Sequence, residues 1–503
     1  MKPATFPVDG HDHRLLAQVH PPTWRNPEPA RRYHLVVIGA GTAGLVAAAG
    51  AAGLGARVAL IERHLMGGDC LNSGCVPSKA LLSAARAWQG ARQAAREFAG
   101  PEVVGEGDFG AVMERLRRLR ARLSPVDGAE RFQRLGVDVF FGAARFTGPK
   151  TVEVGGASLA FRRAVIATGA RATVPPIPGL AEAEPLTNET AFDLIELPPR
   201  LLVIGGGPIG CELAQAFSRF GSEVTVVDQA DRLLPQDDID AAAMIEQALR
   251  ASGVRLEFGV QVTGVERHGP EVTARLDRSG SLLEVTADAV LVATGRTPNV
   301  EGLGLEAAGV HHDRGGVAVD DRLRTSNRSI YAAGDICTPL RFTHHADFQA
   351  RLVLANALFF GRGKASRMVV PWCTYTSPEV AQVGMTTAEA TRRGLQHDVI
   401  TVPWSEVDRA VLDSQPEGFL RIVLAQGSDR ILGVTIVAEH AGEMIGEAAV
   451  ALTNRLGLGA IGRTMHPYPT QAEAFRKAAD QWRRTKLTPV ARRALNAWFR
   501  VFR

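Results

Sequence analysis

Two cysteines stand five residues apart in Gly67-Gly68-Asp69-Cys70-Leu71-Asn72-Ser73-Gly74-Cys75-Val76-Pro77-Ser78-Lys79, and they are the side chains best suited to chemistry. An irregular turn that runs into a helix lets two Cβ vectors converge to disulfide range. The apolar run around Lys79 reads as that helix. Cys75 then lies at its N-terminus, where unpaired N–H groups and the positive dipole end favour a thiolate. The segment reads as a redox-active dithiol. The alternatives are half a zinc site or two incidental cysteines; zinc would need two more ligands at similar spacing, and none lies near.

A dithiol that cycles needs a source of electrons, and two stretches of the chain are built to hold dinucleotides. His34-Leu35-Val36-Val37-Ile38 reads as a buried parallel strand and runs into Gly39-Ala40-Gly41-Thr42-Ala43-Gly44, an Ala-rich helix, and a second strand that ends at Glu62. Glycines in that context permit a tight turn and close approach of a pyrophosphate to the helix N-terminus, and the acid is placed for ribose hydroxyls. The unit recurs from Arg200: Leu201–Ile204, then Gly205-Gly206-Gly207-Pro208-Ile209-Gly210, a helix, and a strand that ends at Asp228. Two fingerprints mean two dinucleotides. Asp228 favours a free 2′-hydroxyl and repels a 2′-phosphate, which points to NADH; Arg232 is the nearby cation that would admit NADPH.

The totals set bounds. At 503 residues the chain is too long for one core. A net charge of +4 is slight at this size and gives no reason to expect nucleic acid as a partner. Five cysteines without a secreted pattern fit a reducing compartment. No signal-peptide core and no spanning apolar run is seen, so the expectation is a cytoplasmic protein. Residues 1–33, rich in Pro, His and Arg, read as an extended arm. Residues 84–135 carry Ala and Arg at helical spacing and read as amphipathic surface helices.

The dithiol string, with its Pro-Ser-Lys, resembles the signature of the FAD-dependent pyridine nucleotide-disulfide oxidoreductases, and the resemblance runs from about 34 to 482. It implies an α/β fold with two Rossmann-like domains and an α+β dimerisation domain. The implied boundaries are an FAD domain at 34–175 and 299–365, a nucleotide domain at 176–298, a dimerisation domain at 366–482, and a basic tail at 483–503. By resemblance Cys70 exchanges with substrate, Cys75 touches the flavin, and Lys79 pairs with Glu212 beside it. Thr168-Gly169 and Gly295 mark the two domain exits, with the first against the cofactor, and Asp335 meets the ribityl chain. The helix opening near Thr343 would face the flavin, with His344, His345 and Asp347 as lining or capping residues. Cys337 and Cys373 lack a cysteine at redox spacing and read as incidental.

Position 468 bears on the substrate. Disulfide reductases of the family place a histidine before a Pro-Thr and a glutamate five residues beyond, donated across a homodimer as the base for a thiol. Here Tyr468 precedes Pro469-Thr470, Glu473 holds the glutamate position, and His466 stands two residues early as a displaced candidate. Tyrosine, with a pKa near 10, is a poor base for a dithiol. Mercuric reductases have a tyrosine there, and their branch is the one this sequence most resembles: transient Hg(II) on Cys70 and Cys75, reduced to Hg(0). The alternatives are a lipoamide-type or other disulfide reductase, and a flavoprotein that binds metal without turnover. The chain lacks the terminal cysteine pair of typical mercuric reductases. Its amphipathic tail fits a membrane surface or the dimer body, the body being favoured.

Overall fold

A computed structural model describes residues 6–105 and 107–502. The chain divides into two compact units, one built mainly of residues up to Met368, the other of Val369 onward together with Ala230–Phe258.

The first unit is organised on a parallel sheet. Strands run in the order Val137–Phe141, Val58–Glu62, Tyr33–Ile38, Ala157–Ile166, with Ile330–Ala332 beside the last. Leu35 to Ile38 and Val58 to Glu62 are buried throughout, as strands covered on both faces must be, and this explains their continuous apolar runs. Val37 sits between Leu60 and Val165, so every strand end that matters to the glycine loop is fixed by register. The second fingerprint repeats the plan: Arg200–Ile204 lies between Glu223–Asp228 and Ala289–Val292, all parallel. An antiparallel three-stranded sheet, Gln261–His268, Glu271–Arg278 and Ser281–Ala287, packs into the same core. The α/β class with two Rossmann-like halves is the observed one.

The two exits meet. Ala170–Ala172 pairs antiparallel with Arg296–Pro298, so the chain leaves and re-enters the FAD portion through one two-stranded ribbon. Thr168 donates to the Asn299 carbonyl, and the Asn299 amide returns a bond to the Thr168 carbonyl. The mirrored Ala-Thr-Gly stretches are thus neighbours in space.

The expected extended arm is partly a helix, Gly10–Val19. Asp9 caps it by accepting from the His11 and Asp12 amides, and Leu15 and Val19 are fully buried, each stabilising its position by about 1.5–3 kcal/mol. Composition masked the cue: a capping Asp before apolar residues four apart. The surface helices expected at 84–135 also need correction. Cys75–Glu97 and Phe109–Leu123 are helical, but Arg117 and Arg120 on the second are buried against the N-terminal helix. Arg117 pairs with Asp9, and Arg120 with the fully buried Asp12.

Ala230–Phe258, within the expected nucleotide domain at 176–298, packs with the second unit. There Arg421 clamps Asp238 and Asp240 at the start of helix Ile239–Ala251, and the Trp372 indole donates to Asp237. The rest of that unit is an antiparallel sheet in the order Pro371–Thr374, Glu379–Gly384, Ile431–Ala438, Phe419–Ala425, His397–Pro403. Helices Ala441–Thr453 and Glu473–Thr485 complete its core. A last helix, Pro489–Val501, buries none of its residues.

Candidate functional site

The dithiol loop is tied to the first glycine loop before any ligand is considered. The Gly67 amide donates to the Ala40 carbonyl, and a Cβ on Gly68 would stand 2.5 Å from Gly41 Cα. Gly68, with φ +56°, is required by that close approach. The Asn72 amide spans the turn to the carbonyls of Met66 and Gly68. Arg120 donates to the Asn72 carbonyl while its other nitrogen holds Asp12. Asn188 reaches the Asp69 carboxylate and the Ser73 carbonyl. The loop between the cysteines is therefore gripped from three elements, and the carbonyl between them is held by a buried ion pair.

Cys75 opens helix Cys75–Glu97, and both thiols are free. The Cys75 sulfur lies 3.1 Å from the Thr343 hydroxyl, which begins helix Thr343–Leu358. Two helix N-termini thus converge on one sulfur. The Cys75 thiol is held below the ordinary thiol range, first by a hydrogen bond from Cys70 and then, against the opposing cost of burial, by Thr343 and the Lys79 ammonium. Cys70 is pushed up by the same hydrogen bond with Cys75 and by burial. The shared hydrogen bond drives the pKa values of the two thiols apart, so Cys75 is the more readily ionised of the pair.

Lys79 Nζ and Glu212 Oε2 are 2.8 Å apart, with Glu212 nearly buried and Lys79 half-exposed. Trp88 packs edge-on to Phe220 nearby, so the dithiol helix and helix Pro208–Phe220 form one wall. Arg296 lies 3.2 Å from Asp69 and 3.6 Å from Asp335. Arg296 was not among the expected site residues, and the arginine directly after Gly295 was the available signal; Thr343, expected to open a helix at the site, adds its hydroxyl at Cys75. His345 bonds the Leu340 carbonyl and Gln349, and Gln349 caps the Gly334 amide, so His345 fills and caps. Burial pushes the Cys337 thiol up to about 12, which leaves it an inert side chain.

The two glycine loops share a division of labour. Cβ atoms on Gly39 and Gly44 would collide with the carbonyl oxygens of Ala167 and Gly39, and on Gly205 and Gly210 with those of Ala293 and Gly205. These four serve the fold. Gly41 and Gly207 face space: a Cβ on Gly41 meets only Gly68 Cα at 3.7 Å, and one on Gly207 meets nothing within 4 Å. Each caps a helix with no side chain on its first amides. That is a cradle shaped for a pyrophosphate. The acids at the second strand ends match too: Glu62 accepts from the Ala40 and His64 amides, Asp228 from the Gly206 amide. Each carboxylate oxygen has a second lone pair for a ribose hydroxyl. Burial raises the Asp335 carboxyl, with Arg296 opposing. The residues present fit FAD in the first loop and a nicotinamide dinucleotide in the second.

In the second unit, Tyr468 is exposed and donates its hydroxyl to Asp408 at 2.9 Å; that bond holds the phenol above its ordinary range. Glu473 is buried, pairs with Arg476 through one oxygen, and its Oε2 has no hydrogen-bond partner among the described residues. His466 is committed elsewhere: Nε2 lies 3.0 Å from Glu447, and Nδ1 3.1 Å from the Thr464 carbonyl. Both ring nitrogens face oxygen atoms of the chain. Arg232 spends its guanidinium on the carbonyls of Leu234, Pro235 and Asp237. Among the described residues no cluster of three His, Cys, Asp or Glu could hold a metal, and no helix is long and apolar enough to cross a membrane.

Known proteins resemble this chain over most of its length. The profile of the pyridine nucleotide-disulphide oxidoreductases matches residues 33–350, and that of their dimerisation domain residues 370–479. The mercuric reductase of Streptomyces lividans is 37% identical over 89% of this chain and 96% of its own length. The dihydrolipoyl dehydrogenase of Thermus scotoductus is 36% identical over 90% and 97%. Identity alone does not choose between their substrates. Among solved structures, the Cu(II) complex of the HOCl-induced flavoprotein disulfide reductase RclA from Escherichia coli superposes with a TM-score of 0.80 at 28% identity, over 90% of this chain and all of that one. The chain belongs to the pyridine nucleotide-disulphide oxidoreductase family, FAD-dependent enzymes that take electrons from a nicotinamide nucleotide.

Proposed function

We propose that this protein is a mercuric reductase-like enzyme that uses NADH to reduce Hg(II), held by Cys70 and Cys75, to Hg(0). The observation that carries the reading is the absence of an imidazole beside Glu473: Tyr468 occupies the position, and its hydroxyl is given to Asp408. A general base is worth about 10²–10⁴-fold in rate, so a disulfide or dithiol substrate would lose that factor. A metal bound to two thiolates needs no proton for its reduction. His466 is no ready substitute, since its side chain is buried with Nε2 on Glu447 and Nδ1 on the Thr464 carbonyl.

The residues divide the work. Gly39, Gly41, Gly44, Glu62, Thr168, Gly169 and Asp335 would hold FAD, which supplies two-electron transfer between the nicotinamide and the disulfide. Gly205, Gly207, Gly210, Gly295 and Asp228 would hold the nucleotide; the acid, with Arg232 engaged by carbonyls, favours NADH over NADPH. Lys79 and Glu212 hold each other beside Cys75. The reduced pair gives up its remaining thiol proton as both sulfurs close on Hg(II). The balance is NADH and Hg(II) giving NAD⁺, a proton and Hg(0), and the cysteines end as a disulfide after the metal leaves. Tyr468 and Glu473 would flank the metal from a partner subunit in a homodimer, in keeping with the match to a dimerisation domain.

The test is substrate competition in the holoenzyme and in Tyr468→His. The wild type should oxidise NADH with Hg(II) under excess thiol and turn over lipoamide and glutathione disulfide poorly; Tyr468→His should gain disulfide turnover. Fast lipoamide or glutathione disulfide reduction by the wild type, with Hg(II) inert, would replace this reading with a disulfide reductase.

A further inference from the structure

The helix Pro489–Val501 lies beyond the family match, which ends at 479, and none of its residues is buried. It is well formed all the same: the Thr488 hydroxyl accepts from the Ala491 amide and Pro489 occupies the first turn. At 100° per residue, Arg492, Arg493, Asn496 and Arg500 fall within one arc of about 100°. Val490, Leu495, Trp498, Val501 and the following Phe502 fill the opposite side. Trp498 is 59% exposed, Val501 79% and Phe502 68%, and Trp498 packs on Phe502 along the same face at 4.6 Å. From residue 481 onward the sequence contains no Asp or Glu, and Arg492, Arg493 and Arg500 form no ion pair among the described residues.

An apolar face this wide, with aromatic residues and a polar face made almost wholly of arginine, has two classes of partner: protein and lipid. The tail sets the positive balance of the chain: residues 483–503 hold seven Lys and Arg with no Asp or Glu, against 50 and 53 in residues 1–482. A surface that is apolar within and anionic at its border matches both faces at once, and that is an anionic lipid layer. We propose that the Pro489–Val501 helix docks this enzyme peripherally onto anionic membrane, with Trp498, Val501 and Phe502 in the acyl boundary and the arginines at the phosphate level. The proposal concerns where the enzyme works and stands whichever substrate the dithiol takes.

The experiment is flotation of the FAD-loaded enzyme with vesicles of phosphatidylcholine alone or with roughly one-third phosphatidylglycerol. Flotation is expected only with the anionic vesicles, with release as salt rises from about 0.05 to 0.5 M. Reversal of Arg492, Arg493 and Arg500 to Glu should lower partitioning by roughly a hundredfold or more and leave NADH-dependent flavin reduction unchanged. Should that variant fail to fold, Val501→Asp with Phe502→Asp gives the same readout from the apolar face. Absence of the wild type from anionic vesicles, or equal flotation of the altered variants, would overturn the proposal. So would charge reversal that dissociates the oligomer without changing lipid binding, since the helix would then face another copy of the chain.

Discussion

Asp12 lies outside the family match, yet it is fully buried and holds the arginine that grips the loop between the cysteines. Asp12→Ala leaves the Arg120 guanidinium charged in a site where its side chain is 4% exposed. Removing one partner of a buried pair costs about 3–5 kcal/mol. Asp193, at 3.9 Å from Arg120, offsets part of this, so the lower end, about 3 kcal/mol, is expected. The assay is a double-mutant cycle with Arg120→Met, read by urea-induced FAD release and by the alkylation rate of Cys70. If the charge is the cause, Arg120→Met should restore most of the stability lost in Asp12→Ala, because no unpaired charge remains. Cys70 alkylation should be faster than in the wild type both in Asp12→Ala and in the double variant, since each loses the bond to the Asn72 carbonyl or its support. Additive losses of stability would refute the buried-pair account. Wild-type alkylation in both variants would refute the claim that the N-terminal helix braces the redox loop.

Other consequences are as specific. Thr343→Ala removes a hydrogen bond that favours the Cys75 thiolate, so the pH at which the thiolate–flavin absorbance of the reduced enzyme disappears on acidification should move upward; an unchanged midpoint would show that Thr343 does not act on this sulfur. Gly41→Ala should fold normally, because its Cβ meets only an ordinary contact, but FAD binding should weaken by about tenfold or more, or 1.4 kcal/mol. Gly44→Ala, which collides with the Gly39 carbonyl, should instead lose soluble protein, and equal behaviour of the two variants would contradict the assigned division. Lys79→Met should raise the thiolate midpoint in the same direction as Thr343→Ala, since the Lys79 ammonium also lowers it.

What the sequence made legible, and what it hid, follows from the range of the forces involved. Both fingerprints were readable because strand, glycine turn, helix and acid are local, and Gly39, Gly44, Gly205 and Gly210 are dictated by contacts within a few residues or one strand away. The placement of Cys75 on a helix N-terminus was readable for the same reason. The bond from Cys75 to Thr343 spans 268 positions, and no local pattern announces it. Arg117 and Arg120 looked like surface charges because their spacing is that of an exposed face; only Asp9 and Asp12, some hundred positions earlier, make their burial tolerable. His466 was an open candidate until Glu447, one helix away, was seen to occupy it. The pairs that Arg421 makes with Asp238 and Asp240 span 183 and 181 positions, beyond what the fingerprint can reveal.

The most direct measurement is an anaerobic half-reaction: reduce the enzyme with NADH, add Hg(II) in excess thiol, and follow flavin absorbance and mercury vapour together. The account predicts a long-wavelength thiolate–flavin band on reduction, its loss when Hg(II) binds the Cys70–Cys75 pair, and one Hg(0) for each NADH consumed. A band that persists with no mercury vapour, discharged instead by lipoamide or another disulfide, would contradict it.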